Sequence, residues 1–303
     1  MRLARLLLGL GMVLGATQAV AGPPAQKLPS ALVVLPFIKV IPTTQDTRIE
    51  LLNLTDQAID LQCFYVSGDA SDHSCNEIGF FLSMSPFQPV SWLASKGFSD
   101  VTTFSRVPPF FGEGELKCAV IAPRPEVEFH NALQGRAIVF ANNGRTIGYS
   151  GIAFRRLVDG DYTGSIPLDG VTYEQCPDKL HFTLLAEQSG VSESQVVLVP
   201  CTEDLLNQVP TQPNVQFTII NEFEQAFSSA TKFKCFKRLS LADISGTLDR
   251  SILGSDTAHL IVRGSSFSLV GLAIDDFTFG SARLTAGNDP SFEGGRSATV
   301  TFP

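Results

Sequence analysis

The sequence predicts an all-β protein made of two tandem antiparallel β-sandwich domains that are related by an internal duplication. Three observations predict this fold: short runs of alternating apolar and polar residues, turn residues between those runs, and a phrase that occurs twice. Phenylalanine is the main aromatic residue, with 23 copies against four tyrosines and one tryptophan, and such rings suit pleated, half-buried surfaces. Long helical patterns are scarce, which disfavours a parallel sheet that alternates with helices.

The first 21 residues have the features of a secretory signal peptide. Arg2 and Arg5 precede an apolar run that ends at Ala16, and small residues follow up to Ala21. The run is shorter than the roughly 20 residues that a membrane-spanning helix needs. We therefore expect cleavage after Ala21, no membrane span after cleavage, and a periplasmic or secreted product.

The repeated phrase indicates the duplication. Residues 40–58, VIPTTQDTRIELLNLTDQA, match residues 208–226, QVPTQPNVQFTIINEFEQA, without gaps. The alternation in each copy predicts a hairpin with one buried and one solvated face. VVLP at 33–36 corresponds to VVLVP at 196–200, and TIGYSGIAF at 146–154 corresponds to FSLVGLAID at 267–275. Three matches in the same order predict two related halves.

These matches set the expected domain boundaries. The first domain spans residues 28–158, a linker or long loop spans 159–175, and the second domain spans 176–303. The chain between Cys63 and Gly151 is much longer than the corresponding chain between Cys235 and Gly271. We therefore expect a long loop insertion at about 67–118 in the first domain, and inserted loops on a rigid scaffold often carry function.

Six cysteines in an exported chain predict disulfide bonds. All six are candidates: Cys63, Cys75, Cys118, Cys176, Cys201 and Cys235. Each predicted half contains three, so either one bridge joins the halves or each half keeps a thiol. The pairing favoured from the sequence is Cys63 with Cys75, Cys118 with Cys176, and Cys201 with Cys235, and a core thiol is the alternative at Cys63 or Cys235.

Charge and motifs exclude several classes of function. The net charge of −8 disfavours nucleic acid and anionic membranes as partners. No phosphate-cradling or dinucleotide-binding motif occurs, so no cofactor is expected. Asp69, Asp72 and His73 form a candidate metal cluster, but they lack zinc spacing and a calcium loop, and a solvated loop beside a disulfide is the favoured interpretation.

No catalytic residue is predicted. The run from Gly148 to Gly151 is the nearest approach to a nucleophile elbow, but its second glycine comes one position early. Asp275 and Asp276 are neighbours on a predicted strand and would face opposite sides. His181 and His259 lie in strand-like runs and are interpreted as structural.

Four aromatic residues in the predicted insertion are the candidate binding site: Phe87, Trp92, Phe110 and Phe111. Exposed aromatic rings anchor partners because they bury a large area at a small cost in side-chain entropy. The alternative is that the four rings cap the first core from one end.

VVLPFIKV, TRIELLNLTDQAIDLQCFYV and their second copies resemble the tandem Ig-like modules of bacterial surfaces and periplasms. The layout is also similar to that of other exported bacterial proteins with a duplicated architecture. The resemblance covers most of the mature chain and implies Ig-like sandwiches in a non-catalytic protein that acts in binding, surface assembly or adhesion. Its expected partner is a protein, a carbohydrate or a second copy of the chain. The alternatives are a secreted hydrolase or metal-dependent enzyme, and a periplasmic chaperone-like assembly protein.

Overall fold

The computed structural model describes residues 28–68, 75–100, 105–123, 131–158, 163–279 and 282–303. Strands make up 62% of the described residues and helices 4%, which confirms the all-β prediction. Within these ranges, none of the helices has the length and apolar character needed to cross a membrane.

The first half of the chain contributes two larger sheets and a hairpin. In sheet order, the five-stranded sheet contains β11 (Ile152–Phe154), β1 (Leu32–Val40), β8 (Gly112–Pro123), β3 (Ile59–Ser67) and β4 (Glu77–Met84). The four-stranded sheet contains β10 (Thr146–Ser150), β9 (Leu133–Ala141), β2 (Gln45–Asn53) and β5 (Pro89–Leu93). The hairpin pairs β6 (Phe98–Asp100) with β7 (Ser105–Val107).

The second half has a similar division. Its five-stranded sheet contains β17 (Ala226–Lys232), β16 (Asn214–Asn221), β19 (Thr257–Gly264), β13 (Lys179–Leu185) and β22 (Ser291–Glu293). Its four-stranded sheet contains β18 (Lys237–Ser240), β14 (Ser192–Pro200), β20 (Leu269–Phe279) and β21 (Ala282–Asn288). Two one-turn helices, α1 (Leu241–Ile244) and α2 (Arg250–Leu253), flank a 3-10 turn at Gly246–Leu248.

The remaining sheet is small and has three strands. It contains β12 (Ser165–Leu168), β23 (Ala298–Thr301) and β15 (Glu203–Asp204), with β15 parallel to β23. Pairing of β12 with β23 brings residues of the predicted linker, 159–175, against the last strand of the described chain. This sheet covers one face of the first five-stranded sheet, where Phe302 packs edge-on against Phe64 with ring centroids 5.8 Å apart.

The prediction of two tandem Ig-like β-sandwich domains is wrong. The small sheets are organised in a ring as a five-bladed β-propeller. Alternation along a strand fixes which face is buried, but it does not fix how whole sheets pack. β1 shows where the inference failed, because its residues are buried on both faces, and one apolar cluster contains residues from both halves of the chain.

The predicted hairpins have different outcomes in the two copies. In the second copy β16 and β17 do form a hairpin, with Thr218 opposite Ser228, but β17 begins at Ala226, within the Asn221–Ser229 stretch that the sequence predicts as a turn. In the first copy, β2 pairs with β5 and β9, whereas β3 pairs with β4 and β8. The two strands of the first phrase therefore belong to different sheets, because the connection between them crosses from one sheet to the other.

Two pairs of matching phrases make equivalent strand pairings in the two halves of the chain. Val33 of β1 lies opposite Ala153 of β11, and Val196 of β14 lies opposite Ala273 of β20. These are the residues that the two matching phrases align. The shared glycine has a steric reason in the second copy, because a Cβ atom on Gly271 would lie 2.3 Å from the Val197 carbonyl oxygen.

Asn53 and Asn221 occupy equivalent buried turns. The side-chain amide of Asn53 donates to the Ser85 carbonyl oxygen at 2.9 Å, and that of Asn221 donates to the Leu253 carbonyl oxygen at 2.8 Å. In each copy the side-chain oxygen accepts a backbone N–H from two residues further on, at 3.0 Å. The shared phrase therefore encodes an Asx turn. Asn53, Leu54 and Thr55 also fit the glycosylation sequon, and the amide nitrogen of Asn53 is engaged inside the fold.

Three disulfides link Cys63 to Cys118, Cys75 to Cys235 and Cys176 to Cys201. The pairing favoured from the sequence is wrong in all three cases. Cys63 and Cys118 lie opposite each other on β3 and β8, with 4.1 Å between their Cα atoms. Strand pairing therefore decides the partner of Cys63, although Cys75 is nearer to it in the sequence. One bridge joins the two halves, as one of the two sequence-based alternatives expected.

The residues predicted as a long loop insertion are rich in strands where the structure describes them. Residues 75–100 and 105–118 contain β4 to β7 and half of β8. β5 extends the first four-stranded sheet next to β2. These residues therefore build part of the scaffold that positions the surface described below.

Candidate functional site

Two of the four predicted binding aromatics lie in the core. Trp92 is 4% exposed and Phe110 is 1% exposed. The Trp92 indole N–H donates to the Tyr65 hydroxyl at 2.7 Å, and Phe110 stacks on the Tyr65 ring with centroids 4.9 Å apart. Both rings fill the interior, and neither belongs to an open surface.

The other two predicted aromatics are exposed. Phe87 is 62% exposed and Phe111 is 55% exposed. Phe87 lies in the turn before β5, whereas Phe111 follows Phe110, whose N–H donates to the carbonyl oxygen of Ala94 just after β5. The two rings therefore lie at opposite ends of one short strand.

The predicted metal cluster of Asp69, Asp72 and His73 lies outside the described residues. Within the described ranges, no group of three or more His, Cys, Asp or Glu side chains is arranged to hold a metal ion. Asp275 and Asp276 contact different partners, since Ser194 donates to Asp275 while Arg145 pairs with Asp276.

Two of the four histidines meet on the outer face of the second five-stranded sheet. His181 Nδ1 lies 3.0 Å from His259 Nε2, and His181 Nε2 lies 2.8 Å from a carboxylate oxygen of Glu293. Burial, followed by the neighbouring His181, lowers the pKa of His259. The contacts use both ring nitrogens of His181, which fits the structural interpretation of this pair.

Ser150 has no strand-to-helix elbow. It ends β10, and after Gly151 the chain continues directly into β11 at Ile152. A nucleophile elbow needs a sharp turn between a strand and a helix that exposes the serine hydroxyl. The run from Gly148 to Gly151 instead connects two strands.

An open groove lies on the outer face of the sheet formed by β10, β9, β2 and β5. We call it the Arg48–Arg136 groove, and it has a volume of about 710 Å³. Alternation along β2 creates this face, because Ile49 and Leu51 point into the core and the residues between them point outward. The polar side chains that line the groove are those of Arg48, Glu50, Ser91, Gln134, Arg136 and Ser150.

One carboxylate organises the two arginines in this groove. Glu50 lies directly opposite Arg136 across the β2–β9 ladder and accepts from its Nε. The other oxygen of Glu50 lies 2.9 Å from Arg48 Nε, and an Arg48 terminal nitrogen donates to Ser91 Oγ at 3.2 Å. The arginine side chains remain 52% and 62% exposed, whereas that of Glu50 is 21% exposed.

The second copy keeps the scaffold of this groove, but Gln216, Thr218 and Ile261 stand where the first copy has Arg48, Glu50 and Arg136. Thr218 lies opposite Ile261 in the β16–β19 ladder, at the position where Glu50 faces Arg136 in the first copy. Both ladders end at the equivalent asparagine, so the register is the same. The arginine–glutamate arrangement is therefore specific to the first copy and is not required for the shared fold.

The groove is not predicted from the sequence. Arg48 and Glu50 lie within the repeated phrase, and their alternation with apolar residues predicts a solvated strand face and nothing more specific. Arg136 is 86 residues away from Glu50 in the chain. A comparison of the two copies could have indicated the groove. The apolar residues of the phrase are kept in both copies, whereas the charged residues that face outward in the first copy are replaced in the second.

Comparisons with known proteins do not place the chain in a family. No protein-family model matches it, and no curated protein matches it. One solved structure, titled "Crystal structure of PBSX exported protein XepA", is 9% identical over 82% of this chain and 87% of that chain, with a TM-score of 0.20. A likeness this weak does not establish a shared fold.

Proposed function

We propose that the protein is an exported, non-catalytic binding protein whose Arg48–Arg136 groove holds carboxylate groups of its partner. The observation that carries the proposal is the pair of exposed guanidinium groups that share Glu50 on the outer face of a rigid sheet. Three disulfides support export, because such bonds persist in oxidising compartments. The N-terminal sequence supports a periplasmic or secreted location.

The geometry of the arginines supports a carboxylate ligand. Glu50 contacts the Nε atom of each guanidinium, which leaves terminal N–H groups directed away from it. A guanidinium presents a planar fork of donors that matches a carboxylate in a bidentate arrangement. The sheet fixes the backbone positions of the two arginines and Glu50 contacts both Nε atoms, so a ligand does not have to order them from mobile loops.

The net negative charge that disfavours nucleic acid and anionic membranes also weakens binding of an acidic partner outside this groove. The protein carries a net charge of −8, so an acidic partner is repelled by most of its surface. The groove places two arginines around one glutamate, and like-charge repulsion elsewhere favours docking there. An acidic polysaccharide and an acidic peptide segment both present the required chemistry.

A titration separates these partners and tests the groove. We expect the oxidised protein to bind polygalacturonate or poly-L-glutamate, as measured by isothermal titration calorimetry at low salt. Methyl-esterified polygalacturonate is the matched ligand control, because it keeps the sugar backbone and loses the charge.

The double variant R48Q/R136Q should weaken binding about tenfold or more, since each charge-assisted contact contributes about 1 kcal/mol or more. Arg263→Gln is the protein control, because Arg263 is a similarly exposed arginine on β19. Equal affinity of R48Q/R136Q and the unaltered protein, or no binding of either polymer, contradicts the proposal.

A further inference from the structure

A lysine is buried among carboxyl groups between the first five-stranded sheet and the small three-stranded sheet. Lys117 lies on β8, and Glu115 lies two residues earlier on the same face. Glu203 comes from β15 and contacts Lys117 Nζ with one carboxyl oxygen, while Glu115 Oε1 lies 2.8 Å from the same nitrogen. The side chains of Lys117 and Glu115 are 0% exposed and that of Glu203 is 1% exposed.

The cluster contains more carboxyl groups than its single amine can pair. Glu115 Oε2, Glu203 Oε1 and Glu77 Oε2 are buried and have no hydrogen-bond partner among the described residues. Burying an ion without full pairing is costly, and the cost is lower when the group becomes neutral. Burial accordingly raises the pKa of Glu115 to about 8 and that of Glu77 to about 7.

Lys117 and Glu203 respond to burial in different ways. Burial raises the pKa of the Glu203 carboxyl, which favours its protonated form. Burial opposes the charge on Lys117, but the adjacent Glu115 and Glu203 outweigh it and raise the pKa of the amine. The amine therefore keeps its proton, and its lone pair becomes available only when a neighbouring carboxylate accepts that proton.

We propose that Lys117 and Glu203 condense into an intramolecular amide, with Glu115 as the group that moves the protons. The reactants are the charged amine of Lys117 and one proton shared between the carboxyl groups of Glu115 and Glu203. The reactive form is the one in which Glu203 holds this proton and Glu115 is ionised. The products are an amide between Nζ and Cδ, one molecule of water, and protonated Glu115. The reaction requires no oxidant and no co-reactant.

Glu115 takes part in three proton transfers during the reaction. Lys117 Nζ transfers one proton to Glu115, and the freed lone pair attacks Cδ of Glu203 to form the C–N bond. Glu115 then donates its proton to the Glu203 hydroxyl, the C–O bond breaks, and water leaves. Glu115 removes a second proton from the nitrogen and ends protonated, so the total charge of zero is conserved.

The position of the groups favours this bond. The reaction replaces a buried ion pair with a neutral amide, which costs less to keep away from water. Close and fixed placement of an amine and a carboxyl raises their effective concentration by several orders of magnitude. The product would join β8 to the sheet that contains β23, and it would resist reductants that open the disulfide at Cys201, two residues before Glu203.

Peptide mapping of the purified protein tests the proposal. After reduction and alkylation, which remove the disulfides from the mass balance, a digest should contain a branched peptide that joins the segments around Lys117 and Glu203. Its mass should be lower than the sum of the two peptides by one water molecule. Two unlinked peptides of unaltered mass overturn the proposal, and a link from Lys117 to Glu115 overturns the assignment of Glu203.

Variants separate the roles of the residues. Lys117→Met should abolish the branched peptide. Glu115→Gln keeps the shape of the side chain and removes its acid–base chemistry, so the branched fraction should fall at least tenfold while Cys63–Cys118 still forms. An unchanged branched fraction in Glu115→Gln contradicts the role of Glu115. If either variant fails to fold, the map of the unaltered protein alone decides whether the amide exists.

Discussion

Removing the disulfide between Cys75 and Cys235 should cause a large loss of stability. This bridge spans 160 residues and joins the two halves of the chain. In the double variant C75S/C235S the unfolded chain regains the freedom that the bridge removes, while the other two disulfides stay in place. We expect the free energy of unfolding to fall by about 4 to 5 kcal/mol.

The magnitude follows from the length of the closed loop. The bridges Cys63–Cys118 and Cys176–Cys201 provide shortcuts along the chain, so the loop that Cys75–Cys235 closes shrinks from 160 to roughly 100 residues. A loop of about 100 residues corresponds to about 4.7 kcal/mol of chain entropy at 25 °C. The same relation predicts about 1 kcal/mol less for removing Cys176–Cys201, which spans 25 residues.

Backbone strain modifies this value. Cys75 and Cys235 both have left-handed backbone conformations, with φ of 49° and 41°. An L residue in this region costs about 1 kcal/mol, which glycine avoids. C75G/C235G should therefore be more stable than C75S/C235S by about 1 to 2 kcal/mol, although glycine also increases the entropy of the unfolded chain and reduces this difference.

Urea unfolding of the oxidised proteins, followed by tryptophan fluorescence, measures these differences. Trp92 is buried, so its emission reports exposure of the core around it. A loss below about 1 kcal/mol in C75S/C235S would refute the reasoning. It would mean that the two halves remain joined in the unfolded state or do not depend on the bridge.

Three further predictions concern the core and the buried turns. Tyr65→Phe removes the acceptor for the buried Trp92 N–H and should cost about 1 to 3 kcal/mol in the same urea assay; unchanged stability would show that this hydrogen bond contributes nothing. Asn221→Ala removes two side-chain donors and an acceptor in a buried turn, and thermal unfolding should show a loss of about 2 kcal/mol or more, whereas the exposed control Asn207→Ala should change little. Because burial raises the pKa of Glu77 to about 7 and of Glu115 to about 8, the folded state binds more protons than the unfolded state. The stabilisation that these groups contribute is therefore complete below about pH 4.5, the ordinary pKa of a glutamate, and is lost as the pH rises through about 8. Over this window the free energy of unfolding should fall less in Glu115→Gln than in the unaltered protein. A rise in the free energy of unfolding of the unaltered protein over this window would contradict the assignment.

The sequence predicted the strands better than their arrangement. Val215, Phe217 and Ile219 are all buried as their alternation indicated, because a period of two is a local property of a strand. The sequence did not show that β2 and β3 belong to different sheets, since a short turn fits both a hairpin and a crossover. Sheet packing depends on contacts between distant segments, and the Ig-like expectation failed at that level.

The candidate site depended even more on distant contacts. Glu50 and Arg136 meet only because β2 pairs with β9. Lys117 and Glu203 come from different halves, and a lone lysine between apolar residues gave no sign of its partners. The prediction failed in a different way for Trp92 and Phe110. Aromatic residues among turn residues suggested an exposed surface, but these two rings fill the core.

Arginine modification tests the proposed binding groove most directly. Phenylglyoxal reacts with exposed guanidinium groups, and peptide mass spectrometry reports the extent of reaction at each arginine. With the acidic polymer that binds in the titration present, we expect Arg48 and Arg136 to be protected, while Arg263 reacts as it does in the free protein. Equal modification of Arg48 and Arg136 with and without bound polymer would contradict the assignment of the groove.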